Sequence, residues 1–265
     1  MRRILFLTLI VLSASCNDKK PKKNITARKT DIAYQKKIIS AKHDLKVDSV
    51  KKVEIGYYDN FEKLPKLSFE TVTESEFLSI EPKKYIETTK PVQNNDFFYI
   101  QTALRKHKFK NYRDYGGEES WSGFKYLGYY SNLKLFAIQE NSTSDNLGFE
   151  QLFLLDSVND YEYHIISFGD GAVKLQIPSI NNRYFVYFYN SVYEHKNCDI
   201  GILKINDSSS REKYLSEYAS YSSQDFAIDK IAWKTDNIFY VKGYEEVNEN
   251  GEWLKKYTYY KTEFK

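Results

Sequence analysis

From Phe97 to the C-terminus the chain alternates tyrosine, phenylalanine and β-branched residues with polar ones in short runs, and Gly, Asn, Asp and Ser gather between the runs. Successive side chains of a strand point to opposite faces, so this period of two specifies half-buried strands and leaves no stripe for a helix to bury. Aromatic and β-branched bulk packs well on a pleated surface. The pattern predicts strands over Phe97 to Ile100, Phe109 to Tyr112, Lys125 to Tyr129, Lys134 to Gln139, Glu150 to Leu155 and Tyr161 to Ile166. A second set is predicted over Tyr184 to Tyr189, Asp199 to Ile205, Lys213 to Tyr218, Ala227 to Trp233, Ile238 to Tyr244 and Trp253 to Thr262. Between the last two, Asn248-Glu249-Asn250-Gly251 is a hairpin signal, because Asn-Gly supplies the positive φ angles of a tight turn.

Within this region three segments resemble one another. Asn132 to Ile138, Asn182 to Phe188 and Asn237 to Val241 each place a polar turn before an alternating strand. Their spacing of about 50 residues is that of a four-stranded propeller blade, although a closed propeller takes about four to eight blades. Upstream, Val53-Glu54-Ile55 and Leu67 to Val72 alternate as strands do, and Thr73 with Glu76 forms a capping box before a short helix that Pro82 stops. The expected fold is therefore mainly β: an antiparallel meander with blade-like repeats, built as an open or partial β-propeller or as a β-sandwich, with a short helix near 74–80.

The N-terminus has a different texture. Met1-Arg2-Arg3, the apolar run Ile4 to Leu12 and the small residues Ser13-Ala14-Ser15 precede Cys16. As a helix of about 1.5 Å per residue the run reaches about 14 Å, half of a ~30 Å hydrocarbon core, so it reads as a cleavable signal and not as a membrane span. This segment resembles the signal of bacterial lipoproteins, whose lipobox ends in Cys after small residues; the family usually has Leu three residues before the Cys, where this chain has Ser13. The resemblance covers about the first twenty residues. It implies a diacylglycerol on the Cys16 sulfur and an acyl chain on its new amino group after cleavage over 1–15, so that the bilayer holds the protein through N-terminal acyl chains. Each buried methylene adds about 0.8 kcal/mol, and two or three chains anchor stably. The implied location is the cell envelope, on the periplasmic face of the outer membrane.

Residues 16–52 read as a basic, lipidated tether, in which Tyr34, Ile38, Ala41 and Leu45 share one helical stripe after Thr30 or Asp31. Residues 53–96 read as a small strand and helix lead-in, and 97–265 as the β-rich domain. The overall charge of +3 hides an asymmetry, since residues 1–52 hold 14 of the 39 basic residues and 4 of the 36 acids. The remainder is net acidic, which argues against nucleic acid as a partner. Lys19, Lys20, Lys22 and Lys23 either lie against anionic head groups or keep the tether solvated. With Cys16 acylated, Cys198 is the only thiol left, so the fold relies on its core without a disulfide. Cys198 opens a strand-like run, where a cysteine reads as a small buried hydrophobe.

No catalytic or cofactor motif stands out: there is no nucleophile elbow, zinc helix, phosphate loop or dinucleotide fingerprint, and no cofactor or metal is expected. His43, His107, His164 and His195 are scattered, and His195-x-x-Cys198 offers two ligands where a structural zinc takes four. The acidic loops Ser167 to Gly171 and Asp156 to Asp160 lack the alternate-position acids of a calcium loop. Glu118 and Glu119 point to opposite faces if their segment is extended.

The unusual inventory is aromatic, 24 Tyr, 17 Phe and 3 Trp. Tyr112, Tyr115 and Trp121 surround the Gly116-Gly117 turn, and Trp253 follows another. Buried, they are core and sheet-edge packing; exposed, they are candidate ligand contacts that stack on sugar rings or a protein. The expected function is that of a membrane-anchored envelope lipoprotein whose non-catalytic β-rich domain binds an envelope protein or glycan. The alternative is an envelope hydrolase that uses loop carboxylates on a glycan or peptide.

Overall fold

The computed structural model describes residues 50–265 except 57, 82, 118–119, 145–146, 170, 192–195 and 208–209, with the side chains of 58 and 59 also left out. Cys16, the signal-like run, the tether up to residue 49 and the helical stripe within it lie outside the described residues, as do Glu118, Glu119, Asp170 and His195, while Lys51 and Lys52 at the end of the tether belong to the first strand.

The fold is mainly β and made of four sheets. Sheet I is a meander of β3 (Val92–Gln93), β4 (Phe97–Gln101) and β5 (Lys106–Lys110). Sheet II runs β6 (Gly123–Tyr130), β7 (Leu135–Ser144), β8 (Leu147–Asp156) and β9 (Tyr161–Ile165), with β1 (Lys51–Ile55) added parallel to β9. Sheet III is β10 (Ile177–Pro178), β11 (Tyr184–Asn190), β12 (Cys198–Ile205) and β13 (Leu215–Ser223). Sheet IV is β14 (Ala227–Trp233), β15 (Ile238–Glu249) and β16 (Glu252–Glu263), completed by β2 (Glu70–Val72) against β16.

The three similar segments prove to be β7, β11 and β15, each the second strand of its own sheet. The turn before β7 places Lys134 at φ 58°, and the turn before β11 places Asn182 at φ 58°. The hairpin between β15 and β16 turns on Asn250 and Gly251, both at positive φ, as a two-residue primed turn requires.

Packing explains the strand sequences. Sheets I and II share a cluster of Phe98, Ile100, Phe109, Ile138, Phe153 and Leu155. Sheets II and III share another that includes Leu135, Leu152, Leu154, Phe185, Tyr187 and Leu203. Sheets III and IV share a third, with Val186, Ile200, Ile202, Ile228, Phe239 and Val241. The middle of sheets II and III is thus covered on both faces, which explains the continuous apolar run at the end of β8. Leu152-Phe153-Leu154-Leu155 sends its even residues to one neighbour and its odd ones to the other. Among the described residues no apolar cluster joins sheet I to sheet IV, so the sheets form an open stack of blade-like units.

The lead-in is woven into this stack. The helix Glu74–Leu78 starts at Thr73, whose hydroxyl accepts the Glu76 N–H at 3.2 Å. The Glu76 carboxylate accepts the Tyr240 hydroxyl at 2.9 Å, which fastens the helix to sheet IV. Residues beyond it run to sheet II, where Glu87 and Tyr129 exchange backbone hydrogen bonds of 2.8 Å in each direction. A short helix at Tyr58–Phe61 sits earlier in the chain. Strand β5 occupies Lys106–Lys110 where Phe109 to Tyr112 is expected, because its inward positions are His107 and Phe109.

Candidate functional site

The outer face of sheet I is a set of aromatic rings with cations laid on them. On β5, Lys106, Lys108 and Lys110 all point away from sheet II, since His107 and Phe109 point toward it. Lys106 Nζ lies 4.4 Å from the ring centre of Tyr99, Lys108 Nζ 3.7 Å from that of Phe97 and Lys110 Nζ 3.7 Å from that of Tyr115. Each such contact at an exposed site contributes about 0.5–1 kcal/mol. The lysine stems cover the rings while the ammonium groups stay at the surface.

This face continues into the loop between β5 and β6. Arg113 and Ser122 exchange backbone hydrogen bonds of 3.2 Å and close its base. The Asp114 carboxylate accepts the Ser120 hydroxyl at 2.8 Å and the Gly116 N–H at 2.9 Å, and these donors hold its carboxyl below the usual range. Gly116 and Gly117 are at φ 76° and 59° with open space where a Cβ would stand, so the turn needs them for backbone conformation and not for room. The Tyr115 hydroxyl donates to the Asn111 carbonyl at 2.6 Å, and the Arg113 guanidinium lies 4.6 Å from its ring centre. Trp121 leaves the loop at φ 52°, a conformation uncommon for a bulky residue, with 57% of its surface exposed. Its ring centre is 5.9 Å from that of Tyr112, which in turn carries Lys125 Nζ at 4.1 Å.

The structure thus brings together Tyr112, Tyr115 and Trp121. Trp253 does not join them. It sits at the start of β16 in sheet IV, also 57% exposed, with exposed Leu254 and Tyr257 on the same strand.

Two histidines scattered in sequence meet carboxylates at the junction of sheets I and II. His107 Nε2 lies 3.0 Å from Asp160 Oδ1, and Arg105 bonds to the other oxygen. His164 Nε2 lies 3.0 Å from Glu162 Oε2, and Lys52 is 3.7 Å from the same oxygen. All four of the histidine and carboxylate residues are buried. Burial raises the Asp160 carboxyl, but hydrogen bonds from Thr102, His107 and Arg105 outweigh it and hold the group low. Glu162 is likewise raised by burial and brought low by His164 and Lys52. Glu162 and His164 are neighbours on one face of β9, whereas the meeting of His107 on β5 with Asp160 in the β8–β9 loop has no local motif.

The loop Asp156 to Asp160 uses its acids internally. Asp156 accepts the N–H groups of Val158 and Asn159 at 2.8 and 3.1 Å and takes the Arg211 guanidinium. Cys198 opens β12 as a buried thiol that burial pushes up. Among the described residues no group of three or more His, Cys, Asp and Glu is arranged to hold a metal, and no helix is long and apolar enough to cross a membrane. Comparisons with protein-family models, curated proteins and solved structures find no match to this chain.

Proposed function

We infer that the protein is an envelope lipoprotein, tethered through acylated Cys16, whose β-rich domain recognises an envelope glycan or protein on the outer face of sheet I. One observation carries this reading: Trp121 is held exposed, in a left-handed backbone, on a loop braced by Asp114, with Tyr112 beside it and cations on the neighbouring rings. A flat apolar face stacks on a sugar ring, and the surrounding lysines favour a partner that carries acidic groups. Strained, exposed aromatics on a rigid scaffold are a feature of binding loops. The hydrolase alternative has less support, because Asp156, Asp160 and Glu162 each face a cation that fixes them in place.

Anchor and recognition are tested separately. Replacing Cys16→Ser moves the protein from the membrane to the soluble fraction; retention in the membrane contradicts the anchor. An array of acidic and neutral glycans is probed with the native protein and with Trp121→Ala. Selective loss of an acidic-glycan signal in the variant supports the site, and equal signals from both proteins refute it.

A further inference from the structure

A second concavity lies on a different part of the molecule and differs in chemistry. The segment that follows the helix Glu74–Leu78 is fastened at one end to sheet IV, where Phe77 packs 5.4 Å from the ring centre of Tyr259. At the other end it is fastened to sheet II by the Glu87–Tyr129 bridge and by Tyr85 stacked 6.4 Å from Tyr130. Between these fastenings a strap contributes Ile80, Glu81, Lys83, Lys84 and Tyr85 to one wall of a groove, and β10 and β14 with their flanks form the others. Its volume is about 830 Å³, within the ~300–1,000 Å³ typical of small-molecule sites.

The floor is apolar, built from Phe77 of the helix, Phe188 of β11 and Ile228, Ile231 and Trp233 of β14, all buried. Trp233 is fixed by its indole N–H, which donates to the Ile177 carbonyl at 2.9 Å. Four lysines stand around this floor: Lys83 and Lys84 on the strap, Lys174 before β10 and Lys230 on β14. The acids of the groove are Glu81 and Asp229, and Asp229 is engaged by Lys242 at 3.1 Å. The groove therefore combines an apolar floor with an excess of positive charge.

Neither half of that combination suits a simple ligand. A neutral hydrocarbon makes no use of the ammonium groups, and a small polyanion makes no use of the floor. We propose that the groove binds a single-chain anionic amphiphile, a fatty carboxylate whose chain lies on Ile231 and Trp233 and whose head group meets Lys83, Lys84, Lys174 and Lys230. This site is independent of the aromatic loop, and it does not rest on the recognition proposed there.

The test uses the full chain with Cys16→Ser, which carries no acyl chain of its own, and with Trp121→Phe and Trp253→Phe, so that Trp233 is the only indole. A dansyl-labelled undecanoate is titrated below its aggregation threshold and energy transfer from Trp233 is followed. The expected result is saturable transfer that dodecanoate reverses and dodecanol does not. Lys83→Glu with Lys84→Glu and Lys230→Glu, on exposed side chains, is expected to weaken binding about tenfold or more with an unchanged circular dichroism spectrum. Should that variant fail to fold, a salt titration of the parent replaces it, and binding is expected to weaken as ionic strength rises. Absence of saturable transfer, equal displacement by the alcohol, or affinity indifferent to both charge reversal and salt overturns the proposal.

Discussion

Arg211 lays its guanidinium on the Asp156 carboxylate, with Nε 2.9 Å from Oδ2, and so ties the end of β8 in sheet II to the connection between β12 and β13 in sheet III. The carboxylate is fully buried, while the guanidinium is 24% exposed and also lies 3.8 Å from the Tyr214 ring centre. Removing one partner of a buried pair leaves the other charged and unmatched, at a cost of about 3–5 kcal/mol.

Arg211→Ala is accordingly expected to lower the melting temperature by about 10 °C, since each kcal/mol shifts a domain of this size by ~2–4 °C. Arg211→Lys should recover part of the loss, because a point charge keeps the attraction but not the forked geometry. Calorimetry on the three proteins checks both statements. A loss under about 1 kcal/mol for the alanine variant would show that the loop amides alone satisfy Asp156.

Gly201 and Tyr187 are directly paired across β11 and β12, and a Cβ on Gly201 would stand 2.2 Å from the Tyr187 ring. Glycine is required here by the ring lying over it, which is itself almost fully buried. Gly201→Ala is expected to cost about 1–3 kcal/mol through overpacking, and much less when Tyr187→Ala has already removed the ring. Urea unfolding of both singles and the double reads the coupling; strictly additive costs would count against this account.

The Gln176 side chain is fully buried, and among the described residues neither its carboxamide nitrogen nor its oxygen has a hydrogen-bond partner. Its backbone carbonyl accepts the Tyr130 hydroxyl at 2.5 Å, which any residue at this position would preserve. Gln176→Met keeps the shape and removes the unmatched polar atoms, so stability should stay level or rise by about 1 kcal/mol. A clear drop in the urea midpoint would mean that the amide has a partner in solution.

Acid should weaken the junction of sheets I and II. Asp160 and Glu162 titrate lower in the folded chain than ordinary carboxyls do. Their contribution is complete above the unfolded value of about 4 and is lost as the pH falls through the lower folded values. Melting temperature should therefore decline between about pH 5 and pH 3, and decline less steeply in Asp160→Asn. Parallel curves for the two proteins would remove Asp160 from this role.

How much of this was legible in the sequence varies with the physical cause. Ala227 to Trp233 is expected and found at the same bounds, because its apolar residues and the flanking turn residues are local signals. Strand β5 starts three residues and ends two residues before the expected position: Lys-His-Lys-Phe-Lys looks polar unless one knows that lysine stems cover rings on the outer face. The two residues of β10 are too few to show a period. Tyr112, Tyr115 and Trp121 could be grouped because one turn separates them, and Glu162 and His164, two apart on β9, share a face by the strand period, whereas the His107–Asp160 pair appears only when the pairing of distant segments is known. The groove under the strap has no sequence signal, since its walls come from segments about 150 residues apart.

Strand β2 pairs with β16, Val72 against Tyr259 and Glu70 against Lys261, so one of the earliest strands of the domain is matched to the last. A ribosome releases Glu70 long before Lys261, and during that interval sheet IV has no fourth member. The domain consequently matures only once its final residues are out, and a chain shortened by a dozen residues leaves two raw edges where the native fold has a seam.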